Sequence, residues 1–136
     1  MQFVINNWVL FVALIVVLGL LAQGPIMQRM RGVRSVGTAE AIKLINRERA
    51  VVVDVREPKE FADGHIPAAI NLPLSALPDR LREIEKHKQR PVILSCRTSQ
   101  RSARAANLLA KAGFSAPVVL AGGFTAWQSE NLPTEK

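Results

Sequence analysis

The sequence predicts an α/β domain with a mainly parallel central sheet flanked by helices on both faces, preceded by an N-terminal transmembrane helix. Three observations carry this. Short apolar runs at residues 50–55, 91–94 and 118–120 alternate with stretches of helical periodicity, the pattern of strand–helix–strand units whose strands are buried on both sides. Between residues 3 and 22 only Asn6 and Asn7 interrupt an apolar block. The one cysteine, Cys96, stands between a strand-like run and an Ala-rich helical stretch, where a parallel sheet places its working site.

At 1.5 Å per residue, twenty residues span about 30 Å, the thickness of a bilayer's hydrocarbon core. No Lys or Arg precedes the run at 3–22, and Ala22-Gln23-Gly24 is a poor cleavage site. The block also exceeds a signal peptide's apolar region, so a retained single-pass anchor is expected. Arg29, Arg31 and Arg34 follow it, with no acid before residue 35. The positive-inside rule then puts the remainder of the chain in the cytoplasm, at the inner (cell) membrane. Trp8 belongs near the outer interface. Residues 23–35 are expected to form a basic flexible linker that lies on anionic lipid.

With 136 residues, there is room for one domain of ordinary size, expected over 36–133. The net charge is +7, but beyond the linker basic and acidic side chains are mixed, and there are five Phe, two Trp and no Tyr. That argues against a nucleic-acid partner. A single cysteine excludes an internal disulfide and a multi-cysteine zinc site, and fits a reducing compartment. No metal and no cofactor are expected.

Along the domain, Thr38 is expected to cap a helix over 39–48, with Ile42 and Ile45 on one side. The β-branched run 50–55 reads as a buried strand. Pro58 suits the first turn of a short helix near 57–61. A turn at Gly64-His65-Ile66-Pro67 leads to a short strand at 70–72. Ser75 is expected to cap a helix carrying Leu77, Leu81 and Ile84 at i, i+4 and i+7. After the strand at 91–95 comes a helix over 102–112, stopped by Gly113 in the left-handed region, with Phe114 folding back on Leu109. A strand at 118–120 follows, and Gly122-Gly123 turns the chain into a last helix bearing Trp127.

The strand-to-helix turn after Cys96 exposes backbone N–H groups and the positive end of a helix dipole. Arg97 and Arg101 add positive charge and are expected to face inward, with Arg104 solvated. These conditions favour a nucleophilic thiolate. The candidate nucleophile is Cys96, and the candidate substrate-binding residues are Arg97, Thr98, Ser99, Gln100, Arg101 and Ser102. Asp54 and Arg56, at a strand end, are expected to hold one another and the loop. His65 reads as structural rather than as a base, Trp127 as core beside the loop, and His87 as solvated.

The segment Val53-Asp54-Val55-Arg56-Glu57-Pro58-x-Glu60-Phe61-x-x-Gly64-His65-Ile66-Pro67-Ala68-Ala69-Ile70-Asn71 resembles the first signature of the single-domain rhodaneses. Cys96-Arg97-x-x-x-Arg101-Ser102-x-x-Ala105-Ala106 resembles their active-site loop. Ala112-Gly113-Phe114 and Leu120-x-Gly122-Gly123-x-x-x-Trp127 resemble their closing signature. The anchored arrangement is similar to small bacterial inner-membrane rhodaneses. The resemblance implies a sulfurtransferase in which Cys96 takes a sulfane sulfur from a small donor such as thiosulfate or a persulfide. It would then pass that sulfur to a thiol or cyanide-like acceptor.

Many family members carry Gly where this chain has Ser99. If that position needs a left-handed backbone, Ser costs on the order of 1 kcal/mol. Two other functions compete. A phosphatase of the same fold needs five residues between Cys and Arg, whereas Arg101 comes one place early and Ser102 occupies the required position. A membrane-tethered interaction module would keep the fold without turnover.

Overall fold

The computed structural model describes residues 1–30 and 33–136, with side chains described outside 22–32. It divides into two compact units, Met1–Gly32 and Val33–Lys136. The first contains helices α1 (Gln2–Asn6) and α2 (Trp8–Met30). Large apolar side chains from Phe3 to Leu21 are exposed all around them. Among the described residues, no helix is long and apolar enough to cross a membrane. Where the sequence predicts a linker over 23–35, α2 runs on through Met30 and a strand begins at Arg34. Arg31 and Gly32 lie outside the described residues.

The second unit is built on five strands: β1 (Arg34–Val36), β2 (Val51–Asp54), β3 (Ile70–Asn71), β4 (Pro91–Ser95) and β5 (Ala116–Leu120). Their order is β1-β5-β4-β2-β3, and every pairing is parallel. Residues alternate between the two faces with period two. Val53, Leu94 and Val119 join Leu77, Ile84, Ala105, Leu109 and Phe114 on one side. Val52, Ile93, Val118 and Leu120 join Val36, Ala41, Leu44, Phe124 and Trp127 on the other. Burying each large apolar side chain contributes about 1.5–3 kcal/mol, so both faces must be covered. The covering helices are α3 (Thr38–Glu48), α4 (Pro58–Asp63), α5 (Leu77–Arg80), a 3₁₀ helix (Leu81–His87), α6 (Gln100–Lys111) and α7 (Gly123–Ser129).

Local chemistry departs from the predicted caps. Thr38 is the first residue of α3 rather than its cap, and its hydroxyl donates to Glu130 Oε2 at 2.6 Å. Ser75 does not cap the next helix, which starts after Ala76 and tightens into the 3₁₀ helix. Leu77 and Ile84 are nonetheless fully buried as their spacing predicts. Helix α6 begins at Gln100, two residues ahead of the predicted start. Gly113 has φ +90°, and the Phe114 N–H donates to the Leu109 carbonyl at 3.0 Å, closing α6 as predicted.

β4 is flanked by β5 and β2, so the chain leaving its carboxyl end has neighbours on both sides. On the β5 side, Gly123 (φ +57°) opens α7 against the segment after β4. A Cβ there would overlap the carbonyl oxygens of Thr98 and Cys96. Gly123→Ala is therefore expected to destabilise the domain by about 3 kcal/mol or more, read from the urea midpoint. Gly37→Ala, at a site with open space around it, should cost less than about 1 kcal/mol.

Candidate active site

Cys96 directly follows β4, and its side chain is buried. The N–H of Phe124 donates to the Cys96 carbonyl at 2.7 Å. Arg97's carbonyl accepts from the Thr125 N–H at 3.2 Å and from Thr125 Oγ1 at 2.8 Å. A trans peptide points its N–H opposite to its C=O, so the N–H groups of Arg97 and Thr98 face away from α7. Further along, the Ser99 carbonyl accepts from the Ala103 N–H and from Ser102 Oγ, both at 3.0 Å. Among the described residues, no N–H from Arg97 through Ser102 donates within the chain. Six consecutive free donors thus follow Cys96 and run into the N-terminus of a twelve-residue helix, an arrangement suited to negative charge.

Ser102 is fully buried, with Oγ 3.4 Å from Cys96 Sγ. Ser102 Oγ also donates to the Ser99 carbonyl, and either atom can donate in its contact with Cys96 Sγ. Ser99 has φ −157°, which any L-residue adopts. The strain that a left-handed position would impose is absent. Thr98 and Gln100 are exposed, and Ser99 is half-buried.

The two arginines do not both face inward. Arg97 is exposed. Arg101 is half-buried and turned to Glu60, its Nη1 and Nη2 donating to Oε1 and Oε2 at 2.7 and 3.1 Å. Hydrogen bonding to Glu60 raises the Arg101 pKa above its ordinary value, with smaller contributions from the charges of Cys96 and Asp54. Sequence reasoning passed over Glu60 as a site residue, although it lies within the first signature, three residues after Glu57. There it completes a capping box on α4, its Oε1 accepting the Glu57 N–H at 3.2 Å. Arg104 is exposed, as predicted.

Asp54 and Arg56 hold one another as predicted. Arg56 Nε and Nη2 donate to the buried Asp54 carboxylate at 2.8–3.0 Å. Nη2 also donates to the Gly64 carbonyl at 2.7 Å, and the guanidinium lies 4.5 Å from the Phe124 ring centroid. His65 is buried: Nδ1 donates to the Phe61 carbonyl at 2.9 Å, and its ring stacks on Phe61 at 3.7 Å. Trp127 is core, with Nε1 donating to the Pro133 carbonyl at 2.8 Å. His87 is not simply solvated. It is half-buried, its Nδ1 has no partner among the described residues, and burial followed by the charges of Lys86 and Arg90 lowers its pKa. It lines a cavity of about 380 Å³ that includes no residue of the cysteine loop.

The Arg101 hydrogen bonds hold the Glu60 carboxyl at about 2, against an ordinary 4.5. A carboxyl lowered on folding stabilises the native state above its unfolded pKa and loses that contribution as pH falls through its folded one. The pair therefore stays formed through neutral and mildly acid pH. A ¹³C titration of the Glu60 carboxyl should show a midpoint near 2, returning toward 4.5 in Arg101→Gln.

Comparison with known proteins places this geometry. Residues 38–130 match the rhodanese-like domain. The chain is 39% identical over 134 residues to the uncharacterized protein YibN of Escherichia coli, covering 98% of this chain and 94% of that one. It is 38% identical over 91 residues to a sulfurtransferase of Allochromatium vinosum, covering 67% of this chain and 83% of the relative. A rhodanese-related protein of Thermoplasma volcanium superposes with a TM-score of 0.68 at 31% identity, over 75% of this chain and 97% of that structure. With the motif order, the sheet and the cysteine loop all in agreement, the chain belongs to the rhodanese-like domain family.

Proposed function

We propose that the protein is a sulfurtransferase that carries a sulfane sulfur as a persulfide on Cys96. The supporting observation is the row of six free N–H donors that follows Cys96. The Cys96 thiolate attacks the outer sulfur of the donor, and the donor's S–S bond breaks. Sulfite or a thiolate leaves with the electron pair. The new terminal sulfur carries the negative charge, which the loop N–H groups stabilise as donors do in an oxyanion hole. A thiol or cyanide-like acceptor then attacks that terminal sulfur, and the Cys96 thiolate departs. Ser102 Oγ, 3.4 Å from Cys96 Sγ, can rotate to donate to the ionised sulfur. No metal or cofactor enters these steps.

The family and the sulfurtransferase name of the Allochromatium vinosum relative support this reading. The phosphatase alternative is weaker, because both outer nitrogens of Arg101 are engaged by Glu60. The ordinary backbone at Ser99 removes one argument for an inactive interaction module.

We also propose that residues 3–22 anchor the protein in the inner membrane with the domain on the cytoplasmic face. The support is the apolar sequence of residues 3–22, the exposed apolar side chains from Phe3 to Leu21, and the arginines that follow.

Incubation with thiosulfate or a persulfide donor should add the mass of one sulfur to Cys96, and Cys96→Ser should reduce sulfur transfer to the uncatalysed rate. A Cys96→Ser variant as active as the parent would sink the proposal. In flotation with phospholipid vesicles, the full chain should travel with lipid while residues 33–136 alone remain in the soluble fraction. Equal behaviour of the two would remove the anchor.

A further inference from the structure

The Glu60–Arg101 pair bears on which donors the loop accepts. Arg101 is the second residue of α6, at the end of the loop that Cys96 opens. Both of its outer nitrogens are nevertheless taken by Glu60, at 2.7 and 3.1 Å. Glu60 is itself held in place by the Glu57 N–H at the start of α4. Nearby, Asp54 matches Arg56 in the same way. Two acids therefore balance two arginines beside the loop. The remaining loop guanidinium, Arg97, is exposed and has no carboxylate partner among the described residues.

We propose that Glu60 is a specificity-determining residue that disfavours dianionic donors and biases the site toward persulfides of low net charge. This rests on the sulfurtransferase reading for its biological meaning, but its physical content is a statement about anion binding. A donor such as thiosulfate brings two negative charges to a loop whose Arg101 is already neutralised, and it meets the Glu60 carboxylate beside it. Either donor undergoes the same balanced exchange. The Cys96 thiolate gains the outer sulfur, and sulfite or a thiolate leaves with the electron pair. Only the charge of the approaching donor differs. At ion-pair distances in a high-dielectric surface site, removing one charge opposite a dianion amounts to about tenfold in affinity.

The test uses Glu60→Gln, which keeps the shape and one acceptor oxygen for the Glu57 N–H and Arg101 Nη1, but loses the charge and the acceptor for Nη2. In the full-length chain carrying Cys96→Ser, thiosulfate is titrated while the amide signals of residues 97–102 are followed. Adding Glu60→Gln should tighten thiosulfate binding about tenfold, with the gain shrinking in high salt. Adding Arg101→Gln to that variant should abolish the gain. With Cys96 present, Glu60→Gln should raise kcat/KM for thiosulfate by a similar factor. It should leave kcat/KM for cysteamine persulfide, a zwitterion of no net charge, within about twofold. Unchanged or weaker thiosulfate binding overturns the proposal, as does an equal change for both donors. If the parent forms no persulfide with any donor, the sulfurtransferase reading fails, while the binding titration still decides the role of Glu60.

Discussion

Two backbone N–H groups of α7, those of Phe124 and Thr125, hold the carbonyls of Cys96 and Arg97, and only a glycine at 123 lets the two backbones come that close. The rest of the site follows from this contact. Because each peptide is planar, fixing the two carbonyls toward α7 fixes the next two N–H groups away from it. The carbonyl dipoles of Cys96 and Arg97 are thus turned toward α7, and the N–H dipoles of Arg97 and Thr98 to the opposite side. The sheet supplies the position: β5 lies beside β4, so the chain leaving β5 through Gly122-Gly123 emerges next to the chain leaving β4 through Cys96. Arg97, Thr98 and Gln100 are exposed, so water can satisfy their N–H groups in the resting protein.

The same contact is braced from the other side of Cys96. Arg56 bonds the Asp54 carboxylate at the end of β2, donates to Gly64, and lies over the Phe124 ring. Phe124 is therefore tied twice, by its N–H to the loop and by its ring to the buried ion pair. A buried pair of this kind gives little net stability compared with apolar packing, while loss of either partner leaves a stranded charge costing about 3–5 kcal/mol. Its value here is positional. It sets where α7 starts, and hence how the cysteine loop is held.

How much of this was legible in the sequence follows from the range of the interactions. β2, β4, β5 and the closure of α6 were readable because each rests on a local apolar run or a local glycine. The motifs pointed to the family, Asp54 and Arg56 pair with one another, and His65 and Trp127 are buried in the fold. β1 was missed because Arg34-Ser35-Val36 has no strand pattern of its own. It is a strand only because β5 offers an edge, with Val36 buried behind it. Thr38 looked like a cap because its partner, Glu130, lies at the far end of the chain. Glu60 escaped notice for the same reason: its bond to Arg101 spans 41 positions, and nothing in either neighbourhood announces the other.

Loop length decides what stands beside the sulfur. α6 begins at Gln100, so Arg101 leaves from the second residue of the helix and reaches Glu60 on α4. One residue on, about 100° around the helix, the side chain is Ser102, and its hydroxyl sits 3.4 Å from Cys96 Sγ. A phosphatase loop, one residue longer before its arginine, would put the guanidinium where Ser102 stands. The shift replaces a large cation beside the sulfur with a small hydroxyl, and sends the cation to a carboxylate instead. A phosphoryl group, with its spread of charged oxygens, needs the first arrangement. One additional sulfur atom on Cys96 calls for N–H donors and a hydroxyl that can turn, and this loop has both.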